Sequence, residues 1–542
     1  MSKPIYKKIV LVVMDGFGIA SYSHGNAVAI ANPQGFNDMV AHYPALTLLA
    51  SGPVVGLPWG EMGNSEVGHM NMGAGRIVGQ DLPRINQAIS NHSFFSNNAF
   101  NKAADHVKKH DSALHIIGMI GNGGVHSSEE HLFALLGFAA EQNLKKVYIH
   151  VVTDGRDTAE KAALASIVKL NEKISQIGVG EVATITGRFY AMDRGGHWDQ
   201  TVNTYKAMVD GVGEIAKTTM TAVSENYQKG IFDEMIPPTV IMDSLHGEAH
   251  PTSTIQSNDA VIFFNFRPDR ALQLTQAFVK PEIIPETFRQ HLTKLNNLLF
   301  VTMTEYGTDL PVEIAFETID LHQNLTEVLS QKGFKQYHTA ETEKFAHVTS
   351  FFNGGKVESY PGEERKIIQS PDNNKDYATK PEMSGELLTH ELVDKIRHGD
   401  YQFYLANFAN ADMVGHTGNL EASIKAVGFL DDFLQQIKNA VLEVNGLLII
   451  TADHGNIEQM LEDSTGEINK EHTTNPIPLI AIAKDLQYPI VKERTLLSLA
   501  GVVPSGMVAD IAPTILDFFG IEQPPEMNGV SLYSQIHQTL LS

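Results

Sequence analysis

Apolar runs rich in β-branched residues recur along this chain, each closed by glycine or a polar turn and separated by longer amphipathic stretches. That alternation predicts parallel sheets with helices on both faces. Toward the ends of the chain the runs are Lys8–Asp15, Gln402–Asn407, Leu447–Asp453 and Ile477–Ile482. In the middle they are Ala113–Ile120, Lys146–Thr153, Glu181–Thr186, Ala260–Phe266 and Asn297–Met303. Asp15, Asp412 and Asp453 lie at or shortly after the C-terminal ends of outer runs, whereas His126, Arg156, Asp157, Arg188 and Arg267 follow middle runs. Ligands of open α/β sheets bind beyond the carboxyl ends of the strands, so two active edges on two sheets are expected.

The simplest topology inserts one α/β domain into another. Residues 1–79 and 312–542 form the outer, metal-type domain and 80–311 the insert, with crossings near Gly79 and Pro311. A length of 542 residues exceeds what one core usually covers. The stretch Glu363–Glu382 is polar and charged and reads as an exposed excursion.

Apolar content of 43% and charged content of 19% are those of a globular protein. The net charge of −23 argues against nonspecific nucleic-acid binding. An anionic substrate therefore needs a local cationic pocket. With no cysteine, thiolate chemistry and Cys-based zinc sites are excluded. Asp, Glu, His and hydroxyl ligands suit Mn, Mg or Zn. The apolar runs are too short to span a membrane. Lys3, Lys7 and Lys8 before Ile9–Met14 mimic a signal peptide, but Asp15 ends the run too soon and no cleavage site follows. A cytoplasmic protein without membrane or nucleic-acid partners is expected.

Each candidate motif also has a plain structural reading. Asp15-Gly16 after a strand is a common turn pair, and also a way to deliver a carboxylate to a strand end. Asp412 and His416, four residues apart, share a face roughly 5–6 Å apart if helical; otherwise they are a surface pair. The surrounding Asn407–Gly418 has few long charged side chains, unlike an exposed helix. Asp453 and His454 point oppositely in a strand, so both reach one site only if the strand breaks there, which Gly455 permits. His472 follows within twenty residues. Ser65, in Gly63-Asn-Ser-Glu-Val-Gly-His69, reads either as a helix N-cap or as a nucleophile at a helix N-terminus suited to phosphoryl groups. A nearby cation would lower its pKa. The cationic set is Arg156, Arg188, Arg194, Arg267, Arg270 and Lys344, and arginine forks bind carboxylate and phosphate bidentately. Asp157 is a candidate general base for a substrate hydroxyl. No Walker sequence and no Gly-x-Gly-x-x-Gly after a strand supports nucleotide binding.

Assembled, these stretches resemble the cofactor-independent (2,3-bisphosphoglycerate-independent) phosphoglycerate mutases of the alkaline phosphatase superfamily. The carriers are Val13–Gly18, Met62–His69, Gly124–Ser127, Thr153–Asp157, Gly187–Arg194, Asn265–Arg270, Asn410–His416, Thr451–Asn456 and His472-Thr-Thr, nearly full length and in family order. The resemblance implies an alkaline-phosphatase-like α/β domain with an inserted transferase domain, usually as a monomer. It implies two Mn ions, replaceable by Mg or Co, and no 2,3-bisphosphoglycerate cofactor. Asp412, His416 and His472 would hold one ion, and Asp15, Ser65, Asp453 and His454 the other. His126, Arg156, Asp157 and Arg188 would bind substrate together with Arg194, Arg267, Arg270 and Lys344.

The expected reaction interconverts 3- and 2-phosphoglycerate through a phosphoserine on Ser65, with Asp157 assisting the receiving hydroxyl. Unaided phosphate monoester hydrolysis is so slow that catalysts supply up to ~10²¹. A mutase must also exclude water while the phosphoenzyme exists. Metals and nucleophile on one domain, with glycerate grips on the other, would allow closure around the substrate. A metal-dependent phosphatase would share the metals but has no use for an Arg-rich insert; a phosphopentomutase would prefer ribose phosphates; a non-enzymatic binding protein would stay inert with Mn.

Overall fold

The computed structural model describes residues 6–243, 249–318, 321–371, 376–462, 465–489, 491 and 493–538. The chain is α/β, and one α/β unit is inserted into another: residues 1–80 with 320–542 form the first compact unit, and 81–319 the second. The return crossing falls later than Pro311, because Glu313–Phe316 pairs in parallel with Leu299–Thr304 and so stays with the insert.

In the first unit an eight-stranded sheet runs in the order Glu363–Ile368, Gln336–Glu341, Phe403–Phe408, Ile9–Met14, Leu447–Thr451, Ile477–Ile482, Ala45–Leu49 and Gly506–Met507. The first five strands are mutually parallel. Ile477–Ile482 is antiparallel to both neighbours, a departure from the all-parallel reading. A parallel return needs a crossover, usually helical, and the described residues between Thr451 and Ile477 contain no helix. All six residues of Ile9–Met14 are buried, as in a strand covered on both faces. The helix Leu420–Glu443 packs on the same sheet, its Phe433 ring stacked on Phe408 of a neighbouring strand, and its Asn419 cap accepts the Ala422 N–H at 3.0 Å. Its buried positions Ala422, Ala426, Leu430, Phe433, Ile437 and Val441 recur every three to four residues.

The excursion expected over Glu363–Glu382 begins instead as an edge strand, Glu363–Ile368, paired with Gln336–Glu341. Glu364 and Lys366 face solvent, and charge on an edge strand blocks further pairing. Residues 372–375 of that stretch lie outside the described residues.

In the second unit six parallel strands run in the order Glu313–Phe316, Leu299–Thr304, Ala260–Phe263, Leu114–Met119, Val147–Thr153 and Glu181–Gly187. Thr239–Asp243 joins the last antiparallel, and Glu214–Ala216 and His250–Pro251 pair with it. No helix among the described residues is long and apolar enough to cross a membrane.

Candidate active site

In the first unit three adjacent parallel strands deliver the acidic groups. Asp15 follows Ile9–Met14, Asp412 lies just beyond Phe403–Phe408, and Asp453 just beyond Leu447–Thr451. All three are buried. Gly16 turns the chain at φ 72°, and a Cβ there would lie 2.7 Å from the Asp412 Cα, so these loops meet only with glycine at that position. The Gly16 N–H donates to Asp453 Oδ1 at 3.1 Å.

Asp412 sits in the short helix Asn410–Gly415 and accepts the capping N–H of His416 at 3.0 Å through its carbonyl, so the pair does share a helical face. His416 Nε2 and His472 Nε2 lie 3.2 and 3.3 Å from Asp412 Oδ1 and 3.1 Å from each other. Each ring turns Nδ1 to a backbone carbonyl, His416 to Lys470 at 2.6 Å and His472 to Gly63 at 2.8 Å. With Nδ1–H donated there, two imidazole lone pairs and a carboxylate oxygen converge, and such orientation of ligand rings by backbone partners is typical of metal sites.

Asp453 and His454 lie past the end of their strand, so the break that Gly455 permits does occur. His454 Nε2 is 3.0 Å from Ser65 Oγ, 3.6 Å from Asp15 Oδ1 and 3.5 Å from Asp453 Oδ2. Asp453 Oδ2 is buried, and besides His454 its polar neighbour is His69 Nδ1 at 3.3 Å. Ser65 is not the cap of its helix, Ser65–Ala74: Asn64 is, accepting the Val67 N–H at 2.9 Å. The Ser65 hydroxyl is thereby released from capping and donates to Asp15 Oδ1 at 2.9 Å.

Lys344 lies in this cluster of the first unit. Its Nζ donates to Asp15 Oδ1 at 2.6 Å, Asp412 Oδ2 at 2.6 Å and Ser65 Oγ at 2.8 Å. Burial would depress the ammonium, but Asp15, Asp412 and Asp453 outweigh it and raise the pKa. Burial and then the Asp453 charge raise the Asp15 carboxyl. Three buried carboxylates against one ammonium leave a negative excess. That excess and the inward imidazoles fit divalent cations. Three overlapping donor groups among the described residues suit them, Asp412 with His416 and His472, Asp15 with Asp412 and His454, and Asp15 with His69 and Asp453.

A residue that the motif reading left without a role is His69, one helical turn beyond Ser65. It is fully buried, with Nδ1 2.8 Å from the Ser65 carbonyl and 3.3 Å from Asp453 Oδ2. Asn407 Nδ2 donates to His69 Nε2 at 3.0 Å and to Asp15 Oδ2 at 2.7 Å. A histidine four residues after the candidate nucleophile was the available signal.

In the second unit, four neighbouring parallel strands carry the cationic set at or beyond their C-terminal ends: Ala260–Phe263 leads to Arg267 and Arg270, Leu114–Met119 to His126, Val147–Thr153 to Arg156 and Asp157, and Glu181–Gly187 to Arg188. Arg188 is 3% exposed and its Nη1 bridges Asp154 Oδ1 at 2.5 Å and Asp157 Oδ2 at 2.6 Å. Arg194 and Arg267 share Asp269, at 2.6 and 3.2 Å. Burial and then Arg188, Arg194 and Arg156 lower the pKa of Arg270, which places four guanidiniums in one field. Burial, then Arg188, pushes His126 down to about 4, so the ring is neutral at physiological pH. Its Nε2 is 3.7 Å from Asp157 Oδ2.

A family model described as "BPG-independent PGAM N-terminus" matches residues 85–308. The 2,3-bisphosphoglycerate-independent phosphoglycerate mutase of Chloroflexus aggregans is 44% identical over 550 residues, covering 98% of this chain and 99% of that one. Its counterpart in Clostridium novyi is 45% identical over 528 residues, covering 97% and 99%. Among solved structures, a Leishmania mexicana phosphoglycerate mutase crystallised at low cobalt concentration superposes with a TM-score of 0.61 at 27% identity, covering 98% of each chain. With relatives this similar over the whole length, the chain belongs to the 2,3-bisphosphoglycerate-independent phosphoglycerate mutase family, an isomerase family.

Proposed function

We propose that this protein interconverts 3-phosphoglycerate and 2-phosphoglycerate, with Ser65 as transient phosphoryl carrier and no 2,3-bisphosphoglycerate. The observation that carries the reading is the convergence of Asp15, Asp412, His454 and Lys344 on the Ser65 hydroxyl and its surroundings. Asp412, His416 and His472 would hold one Mn²⁺, and Asp15, Ser65, Asp453 and His454 a second, with Mg²⁺ or Co²⁺ as substitutes. Two divalent cations supply charge neutralisation of the phosphoryl oxygens and a lowered pKa for the serine hydroxyl.

The Ser65 O–H points at Asp15 Oδ1, so its proton has a defined acceptor as Oγ attacks phosphorus. Asn64 caps the helix, and the helix start that carries Ser65 bears the partial positive charge that favours an anion. Lys344 Nζ, 2.8 Å from Ser65 Oγ, adds a positive charge beside the phosphoryl group. Glycerate left after transfer would be held by its carboxylate on Arg267, Arg270 and Arg194, with Arg156 and Arg188 completing the grip. Asp157 would take the proton of its 2-hydroxyl, and His126, neutral at working pH, would hydrogen-bond the substrate. This assigns the first unit as a phosphatase-like metal domain and the second as a transferase domain. A monomer acting in cytoplasmic glycolysis and gluconeogenesis is the setting we infer.

The test is a mutase assay with Mn²⁺ and without bisphosphoglycerate, coupled to a metal count and repeated on Ser65→Ala. Wild type should convert 3- to 2-phosphoglycerate, whereas the folded alanine variant should not. Near wild-type activity in Ser65→Ala would remove the assigned nucleophile. A phosphoserine that passes its group to water instead of glycerate would make the protein a phosphatase, and a preference for ribose phosphates a phosphopentomutase.

A further inference from the structure

Asp154 follows the strand Val147–Thr153 and is 3% exposed. Its Oδ1 receives three donors: the backbone N–H of Arg156 at 3.2 Å, that of Asp157 at 3.1 Å, and Arg188 Nη1 at 2.5 Å. Side-chain acceptance of an N–H two residues on is how aspartate builds a turn. Gly155 completes that turn at φ 73°, where a Cβ would lie 2.7 Å from the Glu234 nitrogen. The same Arg188 Nη1 also reaches Asp157 Oδ2 at 2.6 Å. One buried oxygen therefore fixes the direction in which Arg156 and Asp157 leave the turn and anchors the guanidinium that faces Asp157.

We infer that Asp154 is a positioning residue for glycerate binding: by its charge it holds Arg188 as a bridge shared between two carboxylates, so that Arg156, Asp157 and Arg188 form one preset grip. The inference rests on the proposal that these three residues bind the substrate. Asp154 itself touches no substrate in this scheme; it acts through the others. Holding binding groups in place before the ligand arrives lowers the ordering cost of binding.

Two substitutions separate charge from turn. Asp154→Asn keeps an oxygen for the two N–H groups and loses the ion pair; Asp154→Ala loses both. In the full-length, Mn²⁺-loaded protein, Asp154→Asn should raise KM for 3-phosphoglycerate by about tenfold or more, the size expected for losing a charged hydrogen bond, with a smaller change in kcat. Arg188, shielded in the wild type, should also react faster with phenylglyoxal, as read by peptide mass spectrometry. An asparagine variant with wild-type KM, as a pure turn role would give, overturns the inference, and so does an unchanged labelling rate at Arg188. If Asp154→Ala fails to fold, the asparagine variant still decides. If the wild type does not interconvert phosphoglycerates, the functional proposal falls, while the labelling comparison still judges Asp154.

Discussion

Replacing Lys344 by methionine keeps the length of the side chain and removes its charge. In the structure that charge lies 2.6 Å from both Asp15 and Asp412, and the three side chains are only 6%, 0% and 3% exposed. Taking one partner from a buried ion pair costs about 3–5 kcal/mol, because the other charge stays buried without compensation. Here two carboxylates lose the same ammonium, which puts the metal-free protein near the upper end. Uptake of a proton by Asp15, whose pKa burial already raises, caps the loss there. At about 2 °C per kcal/mol for a unit of this size, the midpoint should fall by ~10 °C. The assay is urea and thermal unfolding of wild type and Lys344→Met, each metal-free and then saturated with Mn²⁺. Divalent cations return positive charge to the same carboxylates, so the gap between the proteins should shrink once metal is bound. A metal-free loss below about 1 kcal/mol would show that the ammonium does not neutralise the centre. A gap of equal size with and without Mn²⁺ would show that cation and ammonium do not answer the same charges.

Gly68→Ala would place a Cβ 2.7 Å from the Asp453 Cβ and 2.8 Å from its carbonyl oxygen. The displaced carboxylate should weaken metal affinity by about 10–100-fold in a folded protein; a metal titration matching wild type would refute this. Glu341 is pushed up to about 7 by burial. A raised carboxyl favours the fold below its unfolded pKa, and that advantage is lost as pH rises through the folded value. Glu341→Gln should therefore leave stability nearly unchanged at pH 5 and raise it by about 3 kcal/mol at pH 8. Midpoints that differ by the same amount at both pH values would contradict it. Chelation should abolish mutase activity, Mn²⁺ should restore it and added bisphosphoglycerate should not; full activity in protein shown metal-free by elemental analysis would overturn the two-cation proposal.

Nine strands were legible as β-branched apolar runs, because a strand buried on both faces needs a continuous apolar sequence. Ile477–Ile482 has the bounds its run suggests, yet its antiparallel direction was invisible, since direction depends on the connection and not on the strand. Gln336–Glu341 escaped notice although every residue is buried. Its Gln, His, Thr and Glu side chains look solvent-loving in sequence; in the fold, Gln336 donates to the Thr326 carbonyl, His338 pairs with the Val348 carbonyl, and neighbouring strands close both edges. The charged Glu363–Ile368 likewise reads as loop, because an edge strand carries its charge outward.

Residue type and chain order alone determined the ingredients of the candidate site: Asp15, Ser65, Asp412, His416, Asp453, His454 and His472 as metal and nucleophile candidates, and the arginines after the middle strands. Most follow from local motifs at strand ends, and Ser65 from a helix start. Tertiary structure decided how each is used. It made Asn64 the helix cap and so left Ser65 its hydroxyl, turned the Nδ1 atoms of His416 and His472 to backbone carbonyls, seated Lys344 between Asp15 and Asp412, and joined Asp154, Asp157 and Arg188. Apart from the Asn64 cap, whose partner Val67 is three residues on, those choices are set by partners tens to hundreds of residues away, because a buried polar atom must be satisfied by whatever packing brings to it, and sequence spacing carries no record of that.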